Sequence, residues 1–262
     1  MNPGSDVPGA IRQLREFAQR FKDGYGQPTR AQWYAGQVDS LESLCRHYFA
    51  DTELADGLLT DRYWHILQSS VPDAVYGAGV FKQELNFQAW RLERAAQQIE
   101  AVRNVAQSGE GIVVVPDTNI LIHCGEVQSI DWKAAVGAES THIIVPLVVV
   151  AELDELKRTL RDKKERETIR TNIRQLRAAL HGIKPGDVAQ LADGVTISVL
   201  PDPVGHRRLP INDEEICDRA ALLKSFRSPL MVATNDYNMQ IRAMGFELST
   251  IEVPEVTGES GS

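Results

Sequence analysis

The chain has 262 residues, of which 43% are hydrophobic and 24% are charged. This length corresponds to one or two domains, and the composition excludes wholesale disorder, a collagen-like fibre and a coiled-coil rod. The formal net charge of −8, taken alone, argues against a nucleic-acid-binding protein, because such domains are usually basic.

Residues 1–108 have a helical pattern and contain no predicted strand. Gly24 and Gly26 end the first helix, and a second break is predicted at Gly77-Ala78-Gly79. This segment carries 11 basic and 13 acidic residues, so its charge does not favour nucleic-acid binding. Substrate selection, homo-oligomerisation and docking of a protein partner all stay open as its role. The predicted helices cover about residues 11–21, 28–48, 61–68 and 80–107.

After Gly111 the pattern changes to short apolar runs that alternate with helical segments. The runs are rich in Val and Ile and lack alternation, which is typical of parallel strands covered on both faces. We therefore predict an α/β domain over residues 109–253, preceded by an all-α module (1–108) and followed by a disordered tail (254–262). The predicted strands are Ile112–Val115, Ile143–Val145, Val195–Leu200 and Leu230–Ala233.

Three widely spaced cysteines, Cys45, Cys124 and Cys217, form neither a disulfide framework nor a zinc motif. They indicate buried free thiols in a reducing compartment. The N-terminus lacks the apolar core of a signal peptide, and the longest apolar stretch, residues 143–151, is too short to span a membrane. We therefore expect a cytoplasmic protein that does not enter a membrane.

Two acids follow predicted strands directly, at the start of a helix. Asp117 follows the strand that ends at Val115 and Pro116, and Asp236 follows Ala233-Thr234-Asn235. Ligands of open α/β sheets bind beyond the carboxyl ends of the strands, so the two carboxylates are candidates for one site. Helix capping is the competing interpretation of each acid, because Asp is a preferred N-cap residue.

Two further acids occupy suitable positions. Glu152 lies near the beginning of the helix that follows Ile143–Val150, and Asp213 lies on the apolar stripe of a helix that begins near Asn212. Their acidic neighbours are predicted on solvated helix flanks. These neighbours are Asp154, Glu155, Glu214, Glu215 and Asp218.

Four carboxylates in one partly desolvated cleft repel one another, and hard divalent cations relieve that repulsion. Mg²⁺ and Mn²⁺ prefer oxygen ligands. Two such ions about 3.5–4 Å apart promote phosphodiester hydrolysis by activating a water and stabilising the leaving oxygen. The four acids therefore predict a Mg²⁺ or Mn²⁺ site for phosphodiester chemistry.

Over about residues 110–253 the sequence resembles the PIN-domain nuclease family. Each motif is short, but the order and spacing of the set match the family pattern. The stretches that carry the resemblance are Val113–Leu121, Val148–Lys157, Asn212–Ile216 and Val232–Asp236.

The resemblance implies a parallel sheet flanked by helices and a metal-dependent ribonuclease site. Carried over residue by residue, it implies that Asn119 and Thr234 support the metal ligands, and that Asp218 competes with Asp213 for the third acidic position. The implied ligands and catalytic acids are Asp117, Glu152, Asp213 and Asp236.

A basic segment follows Glu152. Residues 157–177 hold nine Lys and Arg against three acids, although the chain as a whole is acidic. A solvated helix face is the common reason for such a run, but its position beside the acids favours contact with the phosphates of RNA, most simply single-stranded. The candidate nucleic-acid contacts are Lys157, Arg158, Arg161, Lys163, Lys164, Arg166, Arg170, Arg174, Arg207 and Arg208.

The leading functional hypothesis is a metal-dependent endoribonuclease that leaves 5′-phosphate and 3′-hydroxyl ends. A structure-specific DNA nuclease and the ribonuclease toxin of a toxin–antitoxin pair are the alternatives within nucleases. A non-catalytic RNA-binding scaffold is the alternative outside them, although a scaffold has no need for a cluster of mutually repelling acids.

Overall fold

A computed structural model describes the chain in two compact units, Met1–Glu100 and Ala101–Ser262. Each unit is described by itself below. The predicted helix start at Pro28-Thr29 and most of the predicted tail lie outside the described residues. The described residues are 5–27, 30–49, 52–68, 75–159, 161–180, 187–203 and 206–255.

The described part of the first unit is helical, as predicted. The first helix begins after Asp6, whose carboxylate accepts a hydrogen bond from the Gly9 N–H at 3.1 Å and so caps it. It ends at a 3₁₀ turn, Gly24–Gly26, where the sequence predicts a stop. The helices are α1 (Val7–Asp23), α2 (Arg30–Tyr48), α3 (Glu53–Asp56), α4 (Asp61–Gln68) and α5 (Val75–Gln107).

The break predicted at Gly77-Ala78-Gly79 is wrong, because α5 runs through these residues without interruption. A glycine in a helix interior costs only about 1 kcal/mol relative to alanine. The long buried face that follows, which includes Leu85 and Leu92, outweighs that cost.

A buried carboxylate organises the core of the first unit. Glu84 on α5 is fully buried, and its Oε1 accepts hydrogen bonds from Tyr34, Thr60 and Gln88 at 2.8–2.9 Å. Burial and the neighbouring Glu84 charge both raise the pKa of the Tyr34 hydroxyl. Three donors around one acceptor join α2, α5 and the turn before α4.

The second unit alternates strands and helices in the predicted way. The strands are β1 (Ile112–Pro116), β2 (Thr141–Pro146), β3 (Ala189–Ala192), β4 (Val195–Leu200), β5 (Leu230–Ala233) and β6 (Ser249–Ile251). The helices that follow α5 are α6 (Thr118–His123), α7 (Trp132–Val136), α8 (Leu147–Thr159), α9 (Lys163–Leu180), α10 (Asn212–Lys224) and α11 (Tyr237–Gly245).

The six strands form one sheet in the order β3-β4-β2-β1-β5-β6. All neighbouring strands are parallel except β3 and β4, which form an antiparallel pair. Val113, Val114 and Val115 of β1 are fully buried, as expected of a central parallel strand covered on both faces. The predicted α/β fold with a parallel sheet flanked by helices, preceded by a helical region, is confirmed.

The order of the strands indicates where a ligand site would lie. From β1 the chain crosses to β2 and β4 on one side, and it returns to β5 on the other side of β1. The strand order therefore reverses at β1, and such a reversal opens a crevice at the carboxyl ends of the strands.

One glycine is required by close packing where the chain enters β1. Gly111 has a φ of +82°, and a Cβ at this position would lie 1.8 Å from the Ser140 carbonyl oxygen. Arg227 donates a hydrogen bond to the Gly111 carbonyl at 2.6 Å. A side chain at residue 111 would therefore displace β1 from the segment that leads into β2.

The cysteines Cys45, Cys124 and Cys217 are buried free thiols, as predicted. Among the described residues, none of the helices combines the length and the hydrophobicity that a membrane span requires.

Candidate active site

The register between β1 and β5 brings Asp117 and Thr234 together. Pro116 pairs with Ala233, and the Asp117 N–H donates a hydrogen bond to the Ala233 carbonyl at 2.9 Å. Asp117 and Thr234 are the next residues of the two chains, and they leave the sheet side by side. The Thr234 hydroxyl donates to Asp117 Oδ2 at 3.0 Å.

Asp117 does not cap the helix that it precedes. Its side chain makes no capping hydrogen bond to α6, and it is buried with only 3% of the residue exposed. Besides Thr234, the Asn119 side-chain amide lies 3.5 Å from Asp117 Oδ2. Both residues implied as supporting groups, Asn119 and Thr234, therefore contact the Asp117 carboxylate.

Asp236, in contrast, caps the helix that it precedes and is also one of the four candidate acids. Its Oδ1 accepts hydrogen bonds from the N–H groups of Asn238 and Met239 at 2.7 and 3.3 Å. Its own N–H donates to the Thr234 hydroxyl at 3.1 Å. Among the described residues Asp236 Oδ2 makes no hydrogen bond, so one carboxylate oxygen stays available for a ligand.

Glu152 is fixed by a residue that the sequence did not indicate. It lies on α8, which begins directly after β2, and it is half-buried. The buried Thr118, the first residue of α6, donates its hydroxyl proton to Glu152 Oε2 at 2.7 Å. Because Thr118 directly follows Asp117, this hydrogen bond holds Glu152 near the end of β1.

Asp213 lies in the first turn of α10, as predicted. Arg242 of α11 is its cationic neighbour, with its Nε 3.7 Å from Asp213 Oδ2, and it also binds Glu214. The competing acid, Asp218, is instead paired with Arg219 at 2.7 Å, and 42% of its side chain is exposed. Sequence reasoning did not identify Arg242.

The pKa shifts show that the acids act on one another. Burial, with a contribution from the Asp213 charge, raises the pKa of Asp117 to about 6, although the hydrogen bond from Thr234 lowers this pKa. The N–H groups of Thr118 and Asn119 also lower it, without forming a capping bond. Burial raises the pKa of Asp213 as well, and the charges of Asp236, Glu152 and Glu214 add to that shift against Arg242.

This arrangement suits a divalent cation. The donors are oxygen atoms from four chain segments, and a bound cation would lower the electrostatic cost of keeping them ionised. No three of the four acids bring ligand atoms within 4.8 Å of one another in the described part of the chain. That spacing is compatible with Mg²⁺, which keeps several waters and binds directly to only one or two carboxylates.

A comparison with family models matches residues 114–253, more than half of the chain, to the PIN domain. The chain belongs to the PIN-domain family. PIN domains are generally nucleases that use divalent metal ions, and a nuclease domain implies a nucleic-acid substrate. A comparison with curated protein sequences gives no match.

A second polar cluster in the PIN domain contains none of the four acids. Ligand atoms of Asp202, His206 and Glu215 all lie within 4.8 Å of one another. The prediction that Glu215 is solvated is wrong, because it is fully buried and accepts hydrogen bonds from His206 and the Leu209 N–H at 2.7 and 2.9 Å.

Cations already compensate the carboxylates of that cluster. Arg219 Nε lies 3.2 Å from Glu215 Oε1, and Arg208 donates to Asp202 at 2.8 Å. These contacts fasten the segment before α10 onto the helix. They also occupy Arg208, one of the candidate nucleic-acid contacts.

The other candidate nucleic-acid contacts divide into two groups. Arg161, Lys163, Lys164 and Arg207 are exposed on the surface. The rest line one groove between α8 and α9, together with Arg177 and Ile173. The candidates in the groove are Lys157, Arg158, Arg166, Arg170 and Arg174.

Proposed function

We propose that the chain is a divalent-metal-dependent endoribonuclease. Asp117, Glu152, Asp213 and Asp236 would hold one or two Mg²⁺ or Mn²⁺ ions. The observation that carries the proposal is the set of contacts between these acids in a PIN domain. Thr234 links Asp117 and Asp236 beyond the ends of β1 and β5, Thr118 holds Glu152, and the Asp213 charge raises the pKa of Asp117.

A bound divalent ion supplies Lewis acidity, which favours the ionised form of water and stabilises negative charge on a leaving oxygen. In the proposed reaction, water adds to phosphorus and the bond from phosphorus to the 3′ oxygen breaks. The 3′ oxygen takes a proton, so the products are a 5′-phosphate and a 3′-hydroxyl.

The residues around the acids would hold them in the ionised, oriented form. Thr234 donates to Asp117 and accepts from the Asp236 N–H, so one hydroxyl fixes two of the acids. Thr118 does the same for Glu152. Such supporting hydrogen bonds typically affect metal affinity or activity by about 10–100-fold.

The basic side chains would position the substrate strand beside the acids. Lys157 follows Glu152 by five residues on α8, which corresponds to about 7.5 Å along the helix axis. Contacts from these side chains reach phosphates and give affinity without sequence preference. Because RNA and DNA share phosphates, the experiment compares both.

The test is a cleavage assay on the same sequence as single-stranded RNA, duplex RNA, single-stranded DNA and a DNA flap. We expect single-stranded RNA to be cut with Mn²⁺ or Mg²⁺, and EDTA or Asp117→Asn to abolish cutting. The substitution removes a charge that burial disfavours, so the variant should fold. Preferred cutting of the DNA flap would replace RNA with DNA as the substrate, and equal cutting by Asp117→Asn would refute the site.

A further inference from the structure

The groove between α8 and α9 is unusually rich in positive charge. It has a volume of about 570 Å³, which is in the range of small-molecule sites. Six of its seven described lining residues are cationic, and Ile173 is the other. The cationic residues are Lys157, Arg158, Arg166, Arg170, Arg174 and Arg177.

Local carboxylates compensate only part of this charge. Asp154 binds Lys157, and Glu167 lies 3.5 Å from Arg170. Glu165, the remaining acid within α9, is directed to His123, with its carboxylate 3.6 Å from the imidazole.

Three other cations of the groove form no ion pair in the described part of the chain, although the charges of Arg158 and Arg177 help Lys157 to lower the pKa of Asp154. Over the described residues, no carboxylate lies within 4 Å of Arg158, Arg166 or Arg177.

Arg166 adds an unsatisfied donor. Its Nε is buried from solvent and has no hydrogen-bond partner among the residues that the structure describes. A buried donor without a partner destabilises the folded state. An anionic oxygen in the groove would satisfy it and would bring a charge-assisted hydrogen bond.

The shape and charge of the groove favour a compact anion. A phosphodiester strand carries one negative charge per nucleotide, spread along its length. An oligophosphate concentrates several negative charges and many acceptor oxygens in one short chain. Guanidinium groups match phosphate oxygens with paired donors, and five of the six cations are arginines.

We propose that this groove is a binding site for an oligophosphate group, carried by the 5′ end of an RNA or by a free nucleotide. The inference goes beyond the proposed nuclease function. Binding in the groove requires neither the four acids nor a metal ion.

The experiment is isothermal titration of the full chain with inorganic tripolyphosphate and with orthophosphate, in EDTA and at equal ionic strength. We expect one tripolyphosphate per chain and a Kd at least about tenfold below that of orthophosphate. The double variant Arg166→Gln, Arg177→Gln should weaken tripolyphosphate binding by about tenfold or more.

Lys164→Gln is the matched control. It removes a positive charge from the same helix, but Lys164 is exposed and does not line the groove. Its Kd should change by less than about twofold at physiological salt. An equal loss in the control, or tripolyphosphate binding no tighter than orthophosphate, would overturn the proposal.

Two further arms distinguish the sources of the oligophosphate. RNA with a 5′-triphosphate, the same RNA with a 5′-hydroxyl, and ATP are titrated into Asp117→Asn, which leaves the groove intact. If the triphosphate RNA binds more tightly than both the 5′-hydroxyl RNA and ATP, the groove binds an RNA end. If ATP binds as tightly as the triphosphate RNA, the groove binds a free nucleotide. Loss of cleavage with retained tripolyphosphate binding separates this proposal from the nuclease proposal.

Discussion

Thr234 connects two of the candidate metal ligands with a single hydroxyl, which donates to Asp117 and accepts from the Asp236 N–H. The resemblance implied a supporting role for Thr234, and the strand register accounts for its contact with Asp117. Thr118 was missed, because no local pattern shows that a hydroxyl at a helix start reaches Glu152, 34 residues later. Hydrogen bonds between distant segments are properties of the fold.

The choice between Asp213 and Asp218 can be tested at single residues. The charge of Asp213 raises the pKa of Asp117, whereas Asp218 is half-exposed and paired with Arg219. We predict that Asp213→Asn lowers the single-turnover rate of RNA cleavage at least about a hundredfold. Asp218→Asn should change it by less than about threefold, because it loses only a surface ion pair.

The control is to measure the single-turnover rates of Asp213→Asn and Asp218→Asn at several Mn²⁺ concentrations. A loss in Asp213→Asn that high Mn²⁺ partly restores would indicate weakened metal binding. If Asp218→Asn shows the larger loss, the third acid is Asp218 and the assignment is wrong.

At the scale of elements, the sequence predicts best where burial is uniform. β4 and β5 have the predicted bounds, and β1 and β2 extend the predicted runs by one to three residues. β3 and β6 were missed. They have only four and three residues, lie at the two edges of the sheet and are partly exposed, so they lack the apolar run that reveals a strand.

Buried polar groups are the second kind of feature that the pattern does not reveal. Glu215 was assigned to a solvated flank because it lies off the apolar stripe that Ile216, Ala220 and Leu223 form. The segment before α10 covers it, His206 forms a hydrogen bond with it, and Arg219 compensates its charge. The same holds for Glu84 in the helical unit, whose donors come from distant segments.

His142 makes the pairing of β2 and β4 sensitive to pH. Its ring nitrogens contact Thr196 and Ser198 hydroxyls at 2.8 and 3.1 Å, and the residue is fully buried. Burial, with the nearby Arg227 charge, lowers the pKa of His142 to about 4. Between pH 6.5 and 4 the unfolded chain therefore binds the extra proton, and stability falls as the pH falls through this window.

We predict that this histidine contributes about 2 kcal/mol to the loss in unfolding free energy between pH 7 and pH 5. Urea unfolding of the wild type and of His142→Gln at both pH values measures it. The variant is expected to be less stable at pH 7 but to lose less between the two values. Identical pH dependence in both proteins would contradict the lowered pKa.

At the scale of the whole molecule, net charge was a poor guide to function. The total of −8 combines acids gathered at the strand ends with a basic groove on α8 and α9. The average conceals both features.

The last turns of α5 allow a prediction about where the PIN domain begins. Val102, Val105 and Ala106 belong to the core of the second unit, although they precede the predicted boundary at 108. We predict that a fragment of residues 101–262 unfolds cooperatively, because it keeps this part of α5. A fragment of residues 109–262 should be less stable by about 3–5 kcal/mol, since it loses these apolar contacts.

Urea unfolding of the two fragments, followed by circular dichroism, measures the difference. The longer fragment is also expected to retain metal-dependent cleavage, because it contains all four acids and the basic groove. Equal stability of the two fragments would show that the last turns of α5 do not belong to the core of the PIN domain.

The proposed divalent-metal site of the four acids can be tested without a substrate, by direct measurement of Mn²⁺ binding. Titration of the metal-free protein, with free Mn²⁺ measured by its electron paramagnetic resonance signal, gives the affinity and the number of ions. We predict that the wild type binds one or two Mn²⁺ ions, and that Asp117→Asn binds Mn²⁺ about tenfold or more weakly. Mn²⁺ binding that is absent from the wild type, or unchanged in Asp117→Asn, would contradict it.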